Sequence, residues 1–446
     1  MFWTIFTREL LGHCRSLRYA IFTLLGVILI PLSIWINKGI YDRDKAYFHI
    51  TLSQYEKQIA NDPHGTRPKV FREPPALSIF ARGVLDATPG SASMVRNWGV
   101  EWSEDRREQN LLSALLGGLD LVTLAHWVLS IGVLLMAYDV LSAEREKRTS
   151  YSTWTGRVSH GALLLGKYAA ACVAILLSFS AAYVLTIVLL SLSDFPLFAS
   201  DHMARIWVLF GVTVLYLWTV FSMGLAISAF ARHAISALRS SILLWLMLVV
   251  VIPRVAFRVV EYVMPIRPEQ SVILERALIV EDIQRERRER IQSLWKREGQ
   301  YVARRVWRRM RNDLITRMNS KQEAQIRKFN RLRRAERAKQ LDVMEDIARC
   351  SPTSCYTFAI TNVCNTGRWA MEGFATAAER FYNAVDENIF SGRLQGRDAV
   401  EAYILRYDGE GLLESLRRSW IDIGLLLAFN IVFLILASVL FGRKER

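Results

Sequence analysis

The sequence predicts an all-α integral membrane protein with six transmembrane helices and a large, mainly helical extracytoplasmic domain. The chain has 446 residues, of which 52% are hydrophobic and 22% are charged, and the two classes separate into long blocks. Several apolar blocks reach the roughly 20 residues that a helix needs to cross a bilayer. The blocks are continuous rather than alternating, which argues against a transmembrane β-barrel. An aromatic content of 11% argues against a disordered chain.

Six apolar segments account for the predicted spans. They cover residues 19–37, 121–141, 162–192, 206–231, 236–256 and 420–441. The first segment does not have the pattern of a cleavable signal peptide, because it contains Pro31 and no small-residue cleavage site follows Trp35. A soluble enzyme is therefore excluded for most of the chain.

The short connections between spans predict the orientation, because Lys and Arg are enriched in short cytoplasmic loops. The connection between the second and third spans is rich in Arg and Lys, whereas the loop at 193–204 contains two aspartates and no Lys or Arg. Both termini, including the tail at 442–446, are therefore predicted to be cytoplasmic, in the plasma (inner) membrane. Residues 38–120 and 257–419 are then extracytoplasmic.

The first extracytoplasmic segment, 38–120, is punctuated by five prolines between residues 63 and 89. Proline interrupts helices and favours turns. This segment is therefore predicted to form turns and short strands rather than one long helix.

The second segment, 257–419, has a helical pattern. Apolar side chains recur every three, four or seven residues from Ile291 to Met318, which predicts an amphipathic helix. A capping-box pattern begins at Ser320 and predicts that a second helix starts there, making an antiparallel hairpin that turns near Asn319. Ser351, followed by a proline, is predicted to open a further helix.

The predicted hairpin carries most of the excess positive charge. The chain has a formal net charge of +15, and residues 285–339 contain 20 basic and 6 acidic side chains. This surface is either merely solvated or binds a partner, for which anionic lipid, an anionic envelope polymer or an acidic protein fits better than nucleic acid. The candidate partner-binding residues are Arg304, Arg305, Arg308, Arg309, Arg331, Arg333 and Arg334.

One stretch imitates a nucleotide-binding loop. Residues 161–167 have the spacing of a P-loop, but Tyr168 stands where the Mg²⁺-binding Ser or Thr belongs, and the stretch runs directly into an apolar span. We interpret it as the start of a membrane helix whose Lys167 snorkels to the interface. The chain therefore has no predicted ATPase machinery of its own.

The connection after the second span mixes acidic with basic side chains. Acidic groups at the inner surface gain nothing from anionic lipid but would gain from a basic protein partner. The residues concerned are Asp139, Glu144, Arg145, Glu146, Arg148 and Thr149.

This connection resembles that of type-2 ABC transporter permeases. The family pattern has an Asp, then E-x-E-x-G-T, a P-V-S-R-like turn, and L-L-G-K entering the third span. Arg148 replaces the usual Gly, and Arg157 stands where Pro is common. The matching residues are Asp139, Glu144, Glu146, Thr149, Val158, Ser159, Leu164, Leu165, Gly166 and Lys167.

The resemblance extends along the chain. Residues 1–18 are similar to the interfacial elbow helix of the family, and residues 72–83 resemble a long-loop branch associated with multicopper-enzyme maturation and gliding motility. Family membership implies that residues 142–161 form a coupling helix that docks on an ATPase. It also implies a complex of two permeases, copies of this chain or a paralogue pair, with two separate ATPase subunits that bind ATP and Mg²⁺. No cofactor, metal or catalytic residue is expected in this chain.

Ionisable residues in or beside spans are functional candidates. His126 and Asp120 are therefore candidate pathway residues. Asp120 and Asp422 fall near predicted outer helix ends, where a carboxylate can cap a helix N-terminus. For His126, a packed, hydrogen-bonded histidine is the alternative.

Three cysteines lie in the second extracytoplasmic segment, where disulfides persist if the predicted orientation holds. Cys350 and Cys355 flank the turn at Ser351, which favours a bond between them and leaves Cys364 reduced. The alternative is three free thiols.

The predicted function is the permease subunit of an ATP-driven exporter. One alternative is a mechanotransmitting subunit that acts on an envelope partner without transport. Another is a membrane anchor for an envelope assembly. A continuous polar path between protomers would favour transport, and a long rigid outer domain would favour mechanotransmission. Absence of ATPase contact would favour the anchor.

Overall fold

The computed structural model describes residues 2–62, 66–95, 99–102, 118–146, 160–199, 201–265, 268–388 and 402–443. Its described part contains six helices that are long and apolar enough to cross a membrane, as predicted. They are α2 (Leu17–Asn61), α3 (Leu121–Glu146), α4 (His160–Ser191), α5 (His202–Phe230), α6 (Ala234–Val263) and α11 (Leu412–Arg443).

A short helix, α1 (Phe2–Cys14), precedes the first span. The side chain of Ser16 accepts a hydrogen bond from the backbone of Tyr19 and so caps α2. Helix α2 continues past residue 37 without interruption to Asn61, so the expectation of turns and short strands is wrong for residues 38–61. No proline lies between 31 and 63, and a buried stripe that includes Phe48, Leu52, Tyr55 and Ile59 sustains the helix.

Helix α5 is the centre of the bundle. It contacts α3, α4, α6 and α11. Buried side chains of all five helices form one continuous hydrophobic core. Gly224 of α5 lets α3 approach closely, because a Cβ built there would lie 2.5 Å from the Cβ of Ala137.

Two spans contain a π-helical turn, at Ala125–Leu129 in α3 and at Met247–Val251 in α6. The two helices meet beside these turns, where Trp245 Nε1 donates a hydrogen bond of 2.8 Å to Ser130 Oγ. Widened turns of this kind free backbone carbonyls for other partners. One carbonyl in the α6 turn, that of Leu248, accepts from Ser351 Oγ at 2.5 Å.

Ser351 caps a helix whose start the sequence predicts correctly but whose location it does not. Helix α9 (Pro352–Val363) begins as expected, with Ser351 Oγ accepting from Thr353 N at 3.2 Å. It belongs to the core of the spans rather than to an outer domain, since Tyr356 and Ile360 are fully buried in that core. The start of α9 meets the middle of α6, so α9 reaches about half the depth of the bundle.

A large domain lies at one end of the bundle and contains a four-stranded sheet. The strands are β1 (Lys69–Arg72), β2 (Ser91–Val95), β3 (Gly99–Trp102) and β4 (Ile404–Tyr407), in the order β3-β2-β1-β4. The first three confirm the predicted short strands. Strand β4 pairs parallel to β1 across more than 300 residues of sequence, a contact that local patterns do not reveal. Helix α10 (Arg368–Asn388) packs on the sheet through Phe374, Ala378 and Tyr382.

The helical hairpin of this domain turns elsewhere than predicted. Helix α7 (Glu269–Leu294) and helix α8 (Arg304–Ala348) are joined through residues 295–303, and α8 runs unbroken through the expected turn at Asn319. Ser320 donates to the carbonyl of Arg317 within the helix instead of capping a new one. Lys321 of α8 instead pairs with Glu286 of α7 at 2.6 Å.

Candidate coupling site

The last turns of α3, residues 138–146, lie at the end of the bundle opposite the large domain. We call residues 138–146 the α3 end segment. It contains four of the six residues predicted to couple to an ATPase. The other two, Arg148 and Thr149, and most of the predicted coupling helix lie outside the described residues.

Asp139, near the start of the α3 end segment, binds the start of α2. Arg18 Nη1 donates to Asp139 Oδ2 at 2.7 Å, and Arg18 Nη2 donates to the hydroxyl of Tyr138 at 3.0 Å. The Arg18 guanidinium also lies over the Tyr138 ring. This contact fixes the beginning of the first span against the end of the second.

Glu144 forms an ion pair with the lysine of the P-loop-like stretch. Lys167 Nζ lies 2.7 Å from Glu144 Oε1 and 2.9 Å from Glu9 Oε1 of α1. The predicted snorkelling of Lys167 is wrong, since the residue is only 2% exposed and its ammonium is held by two carboxylates. His13 of α1 lies beside this group, and burial lowers its pKa.

The remaining two charges bind helix ends. Arg145 Nη1 donates to the carbonyl of Ala229 at 2.7 Å, at the C-terminus of α5. Glu146 Oε2 accepts from the backbone of Ala234 at 3.1 Å, at the N-terminus of α6. Each charge has the sign that the dipole of that helix end favours.

The α3 end segment is therefore attached directly to α2, α4, α5 and α6, and through Lys167 of α4 to α1. Rigid-body motion of the segment would reach all of them. Glu144 and Glu146 have partners within the chain, so neither carboxylate is reserved for another protein. The side chain of Glu144 is still 42% exposed. Contact with an ATPase at this segment stays a prediction.

The chain was compared with models of known families. A model described as ABC-2 family transporter protein matches residues 3–446. The chain belongs to the ABC-2 transporter family. It is accordingly the membrane-embedded permease component of an ABC transporter, and ABC-2 membership implies partnership with ABC ATPase subunits. A search of curated proteins found no match.

The ABC-2 match covers the α3 end segment and the large domain alike. Among the described residues, no group of three or more His, Cys, Asp or Glu side chains could hold a metal ion.

The two candidate pathway residues lie near the large domain. Asp120 is the N-cap of α3, where its carboxylate accepts from Thr123 N at 2.8 Å and from Arg82 N at 3.1 Å. The capping prediction is confirmed for Asp120. His126 lies in the π-helical turn, with its Nε2 3.4 Å from Thr357 Oγ1 of α9.

Asp422 does not cap a helix, so that prediction is wrong. Helix α11 begins at Leu412, ten residues earlier, which leaves Asp422 in the interior of the helix. The carboxylate is fully buried and accepts from Arg349 Nε at 2.7 Å.

The seven candidate arginines all lie on α8 and fall into two groups. Arg304, Arg305, Arg308 and Arg309 are exposed in its first two turns. Farther along the helix, Arg333 pairs with Glu336 at 3.2 Å and Arg334 with Glu379 at 2.5 Å, whereas Arg331 is exposed. The first group is therefore the stronger candidate surface for an anionic partner.

All five cysteines are free in the structure, so the predicted Cys350–Cys355 disulfide is not formed. Cys350 is exposed, whereas Cys355 is buried in the first turns of α9. The Cys355 thiol donates to the carbonyl of Arg349 at 3.4 Å.

The sequence did not reveal several residues that connect the helices to one another at the two ends of the bundle. Glu9 and Arg18 were missed, and Lys167 was noted without its ion pairs; all three bind the candidate coupling site, but charges this far apart in sequence carry no joint signal. Arg205, buried at the start of α5, was missed as well: it donates to the carbonyl of Val363 at 2.7 Å and to Ser415 Oγ at 3.1 Å. An arginine beside an apolar span was the available signal.

Proposed function

We propose that this chain is one of two permeases in an ATP-driven export complex of the plasma (inner) membrane, with both termini cytoplasmic and the large domain outside. Two separate ATPase subunits supply the energy. The arrangement corresponds to the long-loop branch that the sequence resembles. The second permease is a copy of this chain or a paralogue.

The attachment of the α3 end segment carries this proposal. An ATPase that moved this segment would act directly on the Glu144–Lys167–Glu9 group, and through Arg145 and Glu146 on α5 and α6. Because Lys167 is buried, its separation from both carboxylates would be costly, so the linked helices move together. The chain needs an external motor because its P-loop-like stretch lies within a membrane helix.

The first experiment is purification of the tagged chain in mild detergent with its co-purifying proteins. An ABC ATPase should be recovered, and its activity should depend on the permease. Glu144→Lys should reduce permease-dependent ATPase activity, because it places two cations beside each other. The double variant Glu144→Lys with Lys167→Glu should restore part of that activity.

Glu261→Lys is the matched control, because Glu261 lies near the opposite end of α6, where its pair with Arg258 is exposed. It should leave ATPase activity unchanged. If no ABC ATPase is recovered with the wild-type chain, the permease proposal fails and the membrane anchor is favoured. If the ATPase is recovered but Glu144→Lys has no effect, the coupling role of this segment fails alone.

Mechanotransmission is the second candidate, and the continuity of α2 favours it. One helix runs from the end beside α1 into the large domain without a break. Helix α2 already contains Pro31, and Gly39→Pro should kink and weaken it at a second point, since an internal proline costs about 3 kcal/mol or more. Gly39→Ala is the control, because a Cβ at Gly39 meets nothing within 4 Å.

The readout is the distance between spin labels on Ser53 of two permease copies, measured with and without ATP. Mechanotransmission requires an ATP-dependent distance change that Gly39→Pro abolishes and Gly39→Ala preserves. A large domain that stays still during ATP turnover contradicts it.

A further inference from the structure

An open groove of about 380 Å³ lies where the large domain meets the bundle. Its walls are the C-terminal turns of α8, the start of α10 and the first turns of α11. The lining residues are Asp342, Glu345, Asp346, Arg349, Trp369, Glu414, Arg417, Arg418 and Ile421. This volume suits a small polar headgroup rather than a polymer.

The groove offers hydrogen-bond donors that no described residue uses. Arg417 is exposed and forms no ion pair or hydrogen bond with the described part of the chain. The Nε of Arg418 is buried without a hydrogen-bond acceptor, although Nη2 of the same side chain pairs with Glu410 at 2.9 Å. Buried donors without acceptors are costly. A ligand with several acceptor oxygens, such as a phosphate, would satisfy them.

The groove is not simply basic. Its lining contains four carboxylates and three guanidinium groups, so an anionic ligand meets no net positive field. Asp346 pairs with Arg349 at 2.9 Å and Asp342 pairs with Arg368 at 2.8 Å, but their side chains are 72% and 54% exposed, so both carboxylates can accept a further hydrogen bond from the groove. The matching ligand therefore carries both a negative and a positive group.

Beneath the groove, α11 continues as an apolar face. Glu414, Arg417 and Ile421 lie on one side of the helix at three- and four-residue spacing. The same side continues with exposed small and apolar residues. They are Gly424, Ala428, Ile431, Val432 and Ile435. Gly424 and Ala428 add no bulky side chain to this exposed face, which we call the α11 trough.

We propose that this groove and trough bind one aminophospholipid of the ethanolamine type. Its phosphodiester lies against Arg417 and Arg418, and its ammonium lies against Asp342 and Asp346. One acyl chain follows the α11 trough. The bound lipid bridges the end of α8 and the first turns of α11. This lipid-binding site does not depend on the export proposal.

The test is native mass spectrometry of the full-length protein, stripped of lipid in detergent and titrated with phosphatidylethanolamine, phosphatidylglycerol or phosphatidylcholine. Phosphatidylethanolamine should bind most tightly, with one high-affinity site per chain. Arg417→Gln should weaken it roughly tenfold, the loss expected for one charge-assisted hydrogen bond. Arg417→Lys should keep most of the affinity. Arg239→Gln, an exposed arginine near the opposite end of the bundle, is the matched control and should have no effect.

Two further experiments test whether binding requires the acyl chains as well as the headgroup, and whether an acyl chain occupies the α11 trough. Glycerophosphoethanolamine, which lacks acyl chains, should compete only weakly. Ile421→Trp should reduce lipid binding by filling the trough. The proposal is overturned by equal binding of phosphatidylglycerol, by an unaffected Arg417→Gln variant, or by full competition from the soluble headgroup. Cross-linking of Ile435→Cys to a second copy of the chain would also overturn it.

Discussion

Arg349 Nε and Asp422 Oδ1 form a 2.7 Å ion pair that joins the C-terminal end of α8 to the interior of α11. Asp422 is fully buried, and its other oxygen has no hydrogen-bond partner among the described residues. Arg349 has a second partner, Asp346, at 2.9 Å. The pair is therefore asymmetric: the arginine has an alternative carboxylate, and the aspartate depends on the arginine.

This asymmetry predicts unequal effects of neutralising each partner. Arg349→Met should cost about 3–5 kcal/mol, because it leaves a buried carboxylate without compensation. Asp422→Asn should cost less, roughly 1–2 kcal/mol, because Arg349 keeps Asp346. Thermal unfolding of the purified variants checks the order. An Asp422→Asn variant less stable than Arg349→Met would contradict it.

Two native cysteines test the proposed orientation. Cys14 is the exposed last residue of α1, and Cys350 is exposed just beyond the end of α8. In intact cells, a membrane-impermeant maleimide should label a variant that retains only Cys350 and should spare one that retains only Cys14. Both should react after the membrane is permeabilised. Labelling of Cys14 from outside would reverse the orientation. In a separate variant that retains both Cys350 and Cys355, a Cys350 that stays unreactive after permeabilisation unless it is reduced would support the predicted disulfide.

The close approach of α3 to α5 depends on the absence of a side chain at Gly224. Gly224→Ala places two Cβ atoms 2.5 Å apart, so the helix backbones must separate. We expect a loss of about 1–3 kcal/mol, the usual effect of overpacking. Gly211→Ala in the same helix is the control, since a Cβ there meets nothing within 4 Å. Equal thermal midpoints for the two variants would refute the close contact.

The ion pair between α7 and α8 predicts a pH dependence. The hydrogen bond from Lys321 lowers the pKa of Glu286 from its ordinary 4.5, with a further contribution from Arg290. The unfolded chain then binds this proton more readily than the folded chain does. The stabilisation is therefore present above pH 4.5 and is lost as pH falls through the lowered pKa.

Glu286→Gln should remove this part of the acid sensitivity, and salt should screen it in the wild-type protein, because the pair is exposed. Thermal midpoints of both proteins between pH 3 and 7 provide the measurement. The midpoint of the wild-type protein should exceed that of Glu286→Gln by more as the pH rises. A difference that grows as the pH falls would contradict the prediction.

The sequence by itself determined the number and approximate places of the spans. Continuous apolar blocks of sufficient length leave no other fold, because backbone groups in lipid must bond within a helix. It also determined the local caps of α3 and α9, at Asp120 and Ser351, since capping depends only on a few adjacent residues. The coupling motif after the second span was recognisable for the same local reason.

Only the tertiary structure decided what those local features contact. Ser320 had a capping pattern, but α8 runs unbroken through it, with Met318, Gln322 and Ile326 buried on one face. Helix α9 is too short to cross a membrane, and its burial in the bundle follows from its contacts with α5 and α11. The sequence pattern predicts that Lys167 snorkels. In the structure, Glu9 of α1 and Glu144 of α3 bind its ammonium instead. Charges 23 and 158 residues apart meet through chain topology, and periodicity and composition carry no information about such meetings.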